Sequence, residues 1–404
     1  MDFLIEPRAV ESGTVSAPGD KSISHRALML GAIADGDSRI RGFLAGGDCL
    51  ATMNALRAMG VKITMGPDEV TVHGVGLRGL ARPAAALDLG NSGTGLRLLA
   101  GILCGQGFTS TLTGDRSLRG RPMDRIIGPL ERMGALIESR DGRPPLVVHG
   151  GRPLSGIAYE LPVASAQVKS AILLAALYAE GDTFIMEPAA TRDHTERMLR
   201  SMGAEIEAGD GRIRLCGRRV LRPRDLDVPA DLSSAAFLVL AALLAPGCEL
   251  VIEGVGVNTT RTGFIGILRG MGADIALENV RFPGDEPVAD LRVRSSALRG
   301  IDVDPALVSR AIDEFPVLFI AASRARGVTR FSGIGELRVK ESDRIAVMAE
   351  GLRRLGGRVD ESQEGAVVHG GRLSGGTVDS GGDHRVAMSF AVAGTVADST
   401  VRVV

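Results

Sequence analysis

Tryptophan is missing from the chain, and aromatic residues fill only 3% of its 404 positions. That leaves little to stack against bases, which argues against a nucleic-acid surface. Lysine is almost as scarce: Lys21, Lys62, Lys169 and Lys340 are four among 47 basic residues. Arginine supplies nearly every other cation. A lysine kept against that bias marks a place where a compact charge or a transferable proton is wanted, or survives by chance, as on the polar junction at Lys62. The cysteines, Cys49, Cys104, Cys216 and Cys248, are far apart and show no CxxC spacing. This excludes a disulfide framework and fits buried thiols of a reducing cytoplasm. The six histidines show no metal-ligand spacing either, so no metal or cofactor is expected. No apolar run reaches the roughly 20 residues of a membrane span; Ala235 to Pro246 is the best candidate and is too short. The start has no basic stretch followed by an apolar one, so no signal peptide is expected. Net charge is −1 with no block of one sign, and 45% of residues are hydrophobic. These values describe a soluble globular protein with room for two or more domains.

What the chain does have begins at Gly19-Asp20-Lys21-Ser22-Ile23-Ser24-His25-Arg26. This stretch runs straight into the apolar helix former Ala27 to Ala34. Gly19 frees the backbone, and Asp20 or Ser22 can cap the helix. Lys21 and Arg26 then sit near a helix start, where the dipole disfavours cations unless an anion lies between them. Taken alone, the stretch reads better as a solvated, capped helix start with incidental charge. Its recurrence changes the weighting.

Two phrases repeat. One is a helix end, a glycine and a strand start: Leu56 to Ile63, Leu130 to Ile137, Leu199 to Ile206, Leu268 to Ile275 and Leu352 to Val359. Its glycines recur every roughly 70 to 85 residues, long for a solenoid and right for a small α/β unit. The other is a polar turn leading into an Ala/Leu-rich helix. It opens near Asp20, Asn91, Ser165, Asp231, Asp313 and Asp383. Such helices are apolar all round and are expected to be buried. Six copies of the first helix against five of the second predict a sixth unit that stops early, by about 25 to 35 residues. The expected division is two domains of three units with a hinge near Pro229. If the buried helices run parallel, their N-termini face one electropositive cleft.

The polar residues at those helix starts carry the chemistry. Gly90-Asn91-Ser92-Gly93-Thr94-Gly95 offers exposed N–H groups to a carboxylate or phosphate, although it is neither a Walker A loop nor a dinucleotide fingerprint. Arg116, Arg119, Arg121 and Arg125 follow, with Arg121-Pro122 at the expected start of a second helix. Ser165-Ala166-Gln167 offers hydrogen bonds to a polyol or phosphate, and Lys169 reads as a ligand or a plain surface cation. In Arg192-Asp193-His194 a relay competes with the plainer reading of a capping Asp and a packed His. Asp313-Glu314-Phe315-Pro316 precedes Lys340-Glu341-Ser342-Asp343-Arg344. There, Lys340 and Arg344 are expected on one face of a shared helix start, flanking Glu341. A carboxylate among cations is a candidate acid/base group, or a surface salt bridge worth little. The last unit opens Asp383-His384-Arg385.

In order, GDKSISHR, LGNSGTGLR, SAQVKS, TRDHTERM, DEFP, ELRVKESDR and DHR resemble the 5-enolpyruvylshikimate-3-phosphate synthase family, from Phe3 to Val404. The resemblance implies an α/β fold: a two-domain, inside-out α/β barrel of six βαβαββ repeats, here with the sixth truncated. Residues 19–228 would form one domain, and 1–18 with 229–404 the other, with the active site in the cleft between them. It implies transfer of the enolpyruvyl group of phosphoenolpyruvate to the 5-hydroxyl of shikimate 3-phosphate, with loss of phosphate. Carried over by motif, Lys21, Ser22, Arg26, Ser165, Ala166, Gln167, Arg192, Asp313 and Lys340 would meet shikimate 3-phosphate. Lys21, Asn91, Gly93, Thr94, Arg121, Gln167, Lys340, Arg344, His384 and Arg385 would meet phosphoenolpyruvate. Glu341 would handle the methylene proton, Asp313 would orient or deprotonate the hydroxyl, and Lys21 would assist proton transfer. No cofactor or metal is implied. The related UDP-N-acetylglucosamine enolpyruvyl transferases carry a reactive Cys on the loop near Arg116 to Arg121, where this chain has none. Gly93 is the residue of glyphosate-sensitive members, so glyphosate is an expected inhibitor. A cytoplasmic monomer is expected, without nucleic-acid or membrane partners. Family members continue beyond the last strand with a segment bearing a phosphoenolpyruvate-binding lysine. The alternative expectation is therefore a truncated form that binds shikimate 3-phosphate with little turnover.

Overall fold

A computed structural model describes every residue except Met1, Ala9 and Asp285. The chain divides into two compact units. One comprises Gly19–Pro229 with Pro283–Glu286, and the other Met1–Pro18, Ala230–Phe282 and Pro287–Val404.

The first unit carries α1 (Lys21–Ile33), α2 (Gly47–Ala58), α3 (Gly93–Cys104), the single turn α4 (Arg116–Arg119), α5 (Asp124–Arg132), α6 (Ala166–Ala176) and α7 (His194–Ser201). It has three four-stranded sheets built alike. Leu226–Asp227 runs parallel to Asp37–Arg41, which pairs antiparallel with Glu69–His73 and that in turn with Lys62–Met65. The same order recurs in Leu87–Asp88, Ser110–Thr113, Arg143–His149 and Leu136–Arg140. It recurs again in Ala158–Glu160, Asp182–Met186, Arg212–Cys216 and Ile206–Gly209. Strand residues alternate buried and exposed, as at Asp37–Arg41, so each sheet turns one apolar face inward.

Helices α1, α3 and α6 lie inside that shell. From Val168 to Ala176 every residue of α6 is buried, as its apolar composition requires. Their approach is close enough to need glycine. A Cβ on Gly101 of α3 would lie 2.3 Å from the carbonyl oxygen of Ala171 in α6. Expected starts fall close to observed ones. Asp20 and Ser165 accept from the N–H of Ile23 and Val168. In the second copy the cap is Ser92, one residue beyond Asn91, accepting from Gly95 N–H at 2.9 Å. The helix expected from Arg121-Pro122 begins at Asp124 instead, after Met123 donates its N–H to Gly142.

The second unit carries α8 (Leu232–Leu244), α9 (Gly263–Gly270), α10 (Phe315–Arg324), α11 (Arg344–Arg354) and α12 (His384–Thr395). Gly13–Ser16 runs parallel to Glu249–Gly256, which pairs with Val288–Arg294 and that with Asp274–Arg281. Val328–Ser332, Gly365–His369 and Arg358–Ser362 form a second sheet, and Gly376–Val378, Val401–Val403 and Phe3–Ile5 a third. Each unit has its own core. Cys49, Cys104 and Cys248 are buried as expected, while Cys216 is half-buried.

The glycines give a stability prediction. Gly101→Ala forces α3 from α6 and is expected to cost about 2 kcal/mol in urea unfolding. Gly266→Ala, exposed in the middle of α9 with only Leu307 in ordinary contact 3.7 Å from its Cβ, is expected to gain about 0.5 kcal/mol. Equal midpoints for the two variants would refute the close-packing argument.

Candidate active site

In the first unit the polar side chains gather at the starts of the helices. Lys21 opens α1, and its ammonium sits 3.1 Å from Asp48 at the start of α2. Ser22 follows, and its carbonyl accepts from Arg26 Nη1 at 2.9 Å. Arg26 is buried, so each of its nitrogens needs an acceptor. Nε donates to Thr195 Oγ1 and Nη2 to Ser170 Oγ, both at 2.7 Å. Burial pulls its pKa down to about 10, and Arg192 is close enough to add like-charge repulsion. The carboxylate of Glu196 opposes that lowering more strongly than Arg192 adds to it.

A second cluster surrounds the start of α3. Asn91 donates to Asp115 at 2.7 Å and accepts from Arg121, which is itself buried. Gly93 and Thr94 are the first residues of α3, with their N–H groups at the positive end of the dipole. A Cβ on Gly93 would lie 3.0 Å from both Arg121 Nη1 and Arg97 Nη1, so two guanidinium groups frame that glycine. Gln167, on α6, donates to Thr94 Oγ1 at 3.0 Å and accepts from Arg97 at 2.6 Å. Ser165 caps α6 and Ala166 is its first residue.

Between the two clusters stands His25. Its Nδ1 is 2.9 Å from Thr52 Oγ1, and its Nε2 is 3.4 Å from the capping hydroxyl of Ser92. Burial, with Lys21 nearby, lowers its pKa from 6.5 to about 3. It is therefore a neutral spacer that ties α1 and α2 to the cap of α3.

Asp193 does not cap α7 through its side chain; it pairs with Arg197 at 2.8 Å. His194 is buried, with Nδ1 2.7 Å from Glu286. Asp193 and His194 thus have separate partners: the His is packed, as the plainer reading held, while the Asp side chain is not the cap.

The second unit has its own cluster, around Arg344. This guanidinium is 2% exposed and meets three carboxylates: Glu341 at 2.7 Å, Asp383 at 2.8 Å and Asp313 at 3.4 Å. Burial opposes its charge, yet Glu341, Asp383 and Asp313 outweigh it and raise its pKa. Asp383 also caps α12, accepting from Arg385 N–H at 2.9 Å. The Arg385 guanidinium returns to the Asp313 carbonyl at 3.2 Å. His384 is exposed at the first position of α12. Lys340 and Glu341 do not share a helix with Arg344. Asp343 accepts from Ala346 N–H and caps α11, which starts at Arg344, and the two preceding residues lie in the turn before it. Lys340 approaches Glu336 at 3.7 Å instead. Protein packed around its ammonium lowers its pKa against the pull of Asp313 and Glu336.

This geometry is met in chains of known kind. The profile of the family described as EPSP synthase (3-phosphoshikimate 1-carboxyvinyltransferase) matches residues 5–404. The chain belongs to the EPSP synthase family. A 3-phosphoshikimate 1-carboxyvinyltransferase of Acidithiobacillus ferrooxidans is 56% identical over 403 residues, covering 99% of this chain and 93% of that one. One from Xanthomonas euvesicatoria is 55% identical, over 97% of this chain and 89% of that one. A solved EPSP synthase from Acinetobacter baumannii superposes with a TM-score of 0.88 at 49% identity, over 100% of this chain and 93% of that one. Arg97, Ser170, Thr195 and His25, which lie in the quoted motifs but were given no role there, bond to the candidate residues or to the α3 cap. Arg97 follows the glycine turn by one helical turn, which was the available signal. The others read as helix packing. No group of described residues has the makings of a metal site, and no described helix is long and apolar enough to cross a membrane.

His25 predicts a pH dependence. Folded chains hold it neutral down to about pH 3, whereas unfolded chains protonate it below about 6.5. Between those values the unfolded state binds the extra proton, so this contribution is full above 6.5 and is lost as pH falls. The slope for one group is about 1.4 kcal/mol per pH unit. His25→Asn keeps a polar contact without titrating. From pH 7 to pH 5 the unmodified chain is expected to lose about 2 kcal/mol more than the variant in urea unfolding. Equal losses would refute the assignment.

Proposed function

We propose that this chain joins phosphoenolpyruvate to shikimate 3-phosphate, the activity named for its relatives. The observation that carries the reading is Glu341 set 2.7 Å from the buried Arg344, with Asp313 on the same guanidinium. One carboxylate there can give and take a proton while the other orients a hydroxyl.

In the addition, Asp313 draws the proton from the 5-hydroxyl of shikimate 3-phosphate, and that oxygen bonds to C2 of phosphoenolpyruvate. Glu341 delivers a proton to the C3 methylene, making it a methyl group. In the elimination, a proton leaves that methyl for Glu341, the C2–O bond to phosphate breaks, and inorganic phosphate departs with the bonding pair. Lys21 and Lys340 are assigned to assist that proton transfer, and the lowered pKa of Lys340 suits proton exchange. Shikimate 3-phosphate is assigned to Lys21, Ser22, Arg26, Ser165, Ala166, Gln167, Arg192, Asp313 and Lys340. Phosphoenolpyruvate is assigned to Asn91, Gly93, Thr94, Arg121, Arg344, His384 and Arg385, together with Gln167 and the lysines.

Within the same reading, the sheets with their buried helices are copies of one βαβαββ unit. Residues 19–228 and the remainder are the two domains of an inside-out α/β barrel, and the chain works as a cytoplasmic monomer without a cofactor.

Phosphate release from the two substrates tests the proposal, with Glu341→Gln as comparison. The unmodified chain is expected to release phosphate and the variant to be slower by about a hundredfold or more. Binding of shikimate 3-phosphate without release would favour the binding-only alternative.

Glyphosate is expected to compete with phosphoenolpyruvate in that assay. Gly93→Ala pushes on both Arg97 and Arg121, so it is expected to raise the phosphoenolpyruvate KM and the glyphosate concentration for half-inhibition together. Full turnover of the unmodified chain at saturating glyphosate would refute the assignment of Gly93.

A further inference from the structure

Lys169 is neither the ligand nor the surface cation that its place in SAQVKS suggested. It has no exposed surface. Its ammonium lies 2.7 Å from Glu196 Oε1, 3.0 Å from Glu187 Oε2 and 3.5 Å from the Thr191 carbonyl oxygen. An ammonium carries three N–H bonds in a tripod, and here three acceptors surround it. The planar fork of arginine does not fit that arrangement. In a chain that uses arginine for nearly every cation, this is a physical reason for a lysine.

The acceptors are informative. Glu187 and Thr191 bracket the loop between the strand Asp182–Met186 and α7, and Thr191 Oγ1 also donates to Glu187. The loop is thus closed on one carboxylate and hung from one ammonium on α6. Burial raises the Glu187 pKa, and Lys169 works against that shift. The next residue after Thr191 is Arg192. One position along from each partner in sequence, Ser170 of α6 and Thr195 of α7 hold the guanidinium of Arg26 at 2.7 Å. The same two helices therefore fix Arg26 through hydroxyls and the Arg192 loop through a buried ion cluster.

We infer that Lys169 is a positioning residue for shikimate 3-phosphate: it fixes the loop Glu187–Arg192 on α6, so that Arg192 meets the same anion as Arg26. This rests on the reading above, in which both arginines face the phosphorylated substrate. Lys169 itself touches no substrate.

The test is Lys169→Arg in the full chain, assayed by phosphate release with each substrate varied in turn. The charge is kept and the tripod lost. The expected result is a shikimate 3-phosphate KM raised about tenfold, with kcat and the phosphoenolpyruvate KM within about twofold. A folded variant with an unchanged shikimate 3-phosphate KM overturns the inference. So does a parallel shift of both KM values and kcat, which a general loosening of the core would give. Should Lys169→Arg not fold, Lys169→Met combined with Glu196→Gln removes a balanced pair of charges, and the same criterion applies to it. Absence of phosphate release by the unmodified chain defeats the functional reading, and this inference with it. Release by the unmodified chain with no selective KM change defeats the inference alone.

Discussion

Burying a guanidinium is the constraint on which the polar cluster of each unit depends. Arg26 in one unit and Arg344 in the other are almost wholly removed from solvent. A cation so placed is tolerated only where its nitrogens meet acceptors, since an unmatched buried charge costs several kcal/mol. Meeting that demand recruits groups from elements far apart in the chain. Arg26 draws on Ser22, Ser170 and Thr195, and Arg344 on Asp313, Glu341 and Asp383. Neither set can form unless three helix starts or turns converge. Each arginine therefore both needs the fold and specifies it.

Convergence of that kind requires helices that pack closely along their length. Apolar helices provide this, because they have no wet face to keep exposed. Gly101 lets α3 approach the backbone of α6, and Gly351 leaves α11 room for the ring of Phe390 in α12. Where the helices touch, their N-terminal turns become neighbours, and the polar residues at those turns form one surface. The chemistry sits at helix starts for this reason: they are the polar ends of elements that are otherwise core.

The same logic explains what could be read from residues alone. Caps are local, so Asp20, Ser165, Asp231 and Asp383 were legible as helix starts and act as such. At Asn91 and Asp313 the capping position falls one residue further on, at Ser92 and Glu314, an offset that composition does not set. The turn before α11 was misjudged because Asp343 has good helical spacing, and only its bond to Ala346 identifies it as the cap. Lys169 was illegible. Its partners lie 18 residues ahead at Glu187 and further on at Glu196, and nothing near Lys169 announces them. Ser170, Thr195 and His25 belong to the same class. Small polar groups within apolar helices look like packing until an opposing helix supplies the atom that they bond.

The two buried arginines differ in the groups that bond them. Around Arg26 the partners are hydroxyls and a carbonyl, which satisfy geometry without cancelling charge. Carboxylates lie near it as well, Glu196 foremost with Asp20 and Glu286 after it, and they oppose the repulsion from Arg192. Around Arg344 the partners are three carboxylates, which cancel its charge more than fully. Carboxylates crowded on one cation compete for it, so a proton on one relieves the others. A nearby lysine whose ammonium is destabilised by its surroundings adds a second group close to exchange. In the proposed reading, hydroxyl partners leave a buried arginine to bind, and carboxylate partners suit one to proton handling.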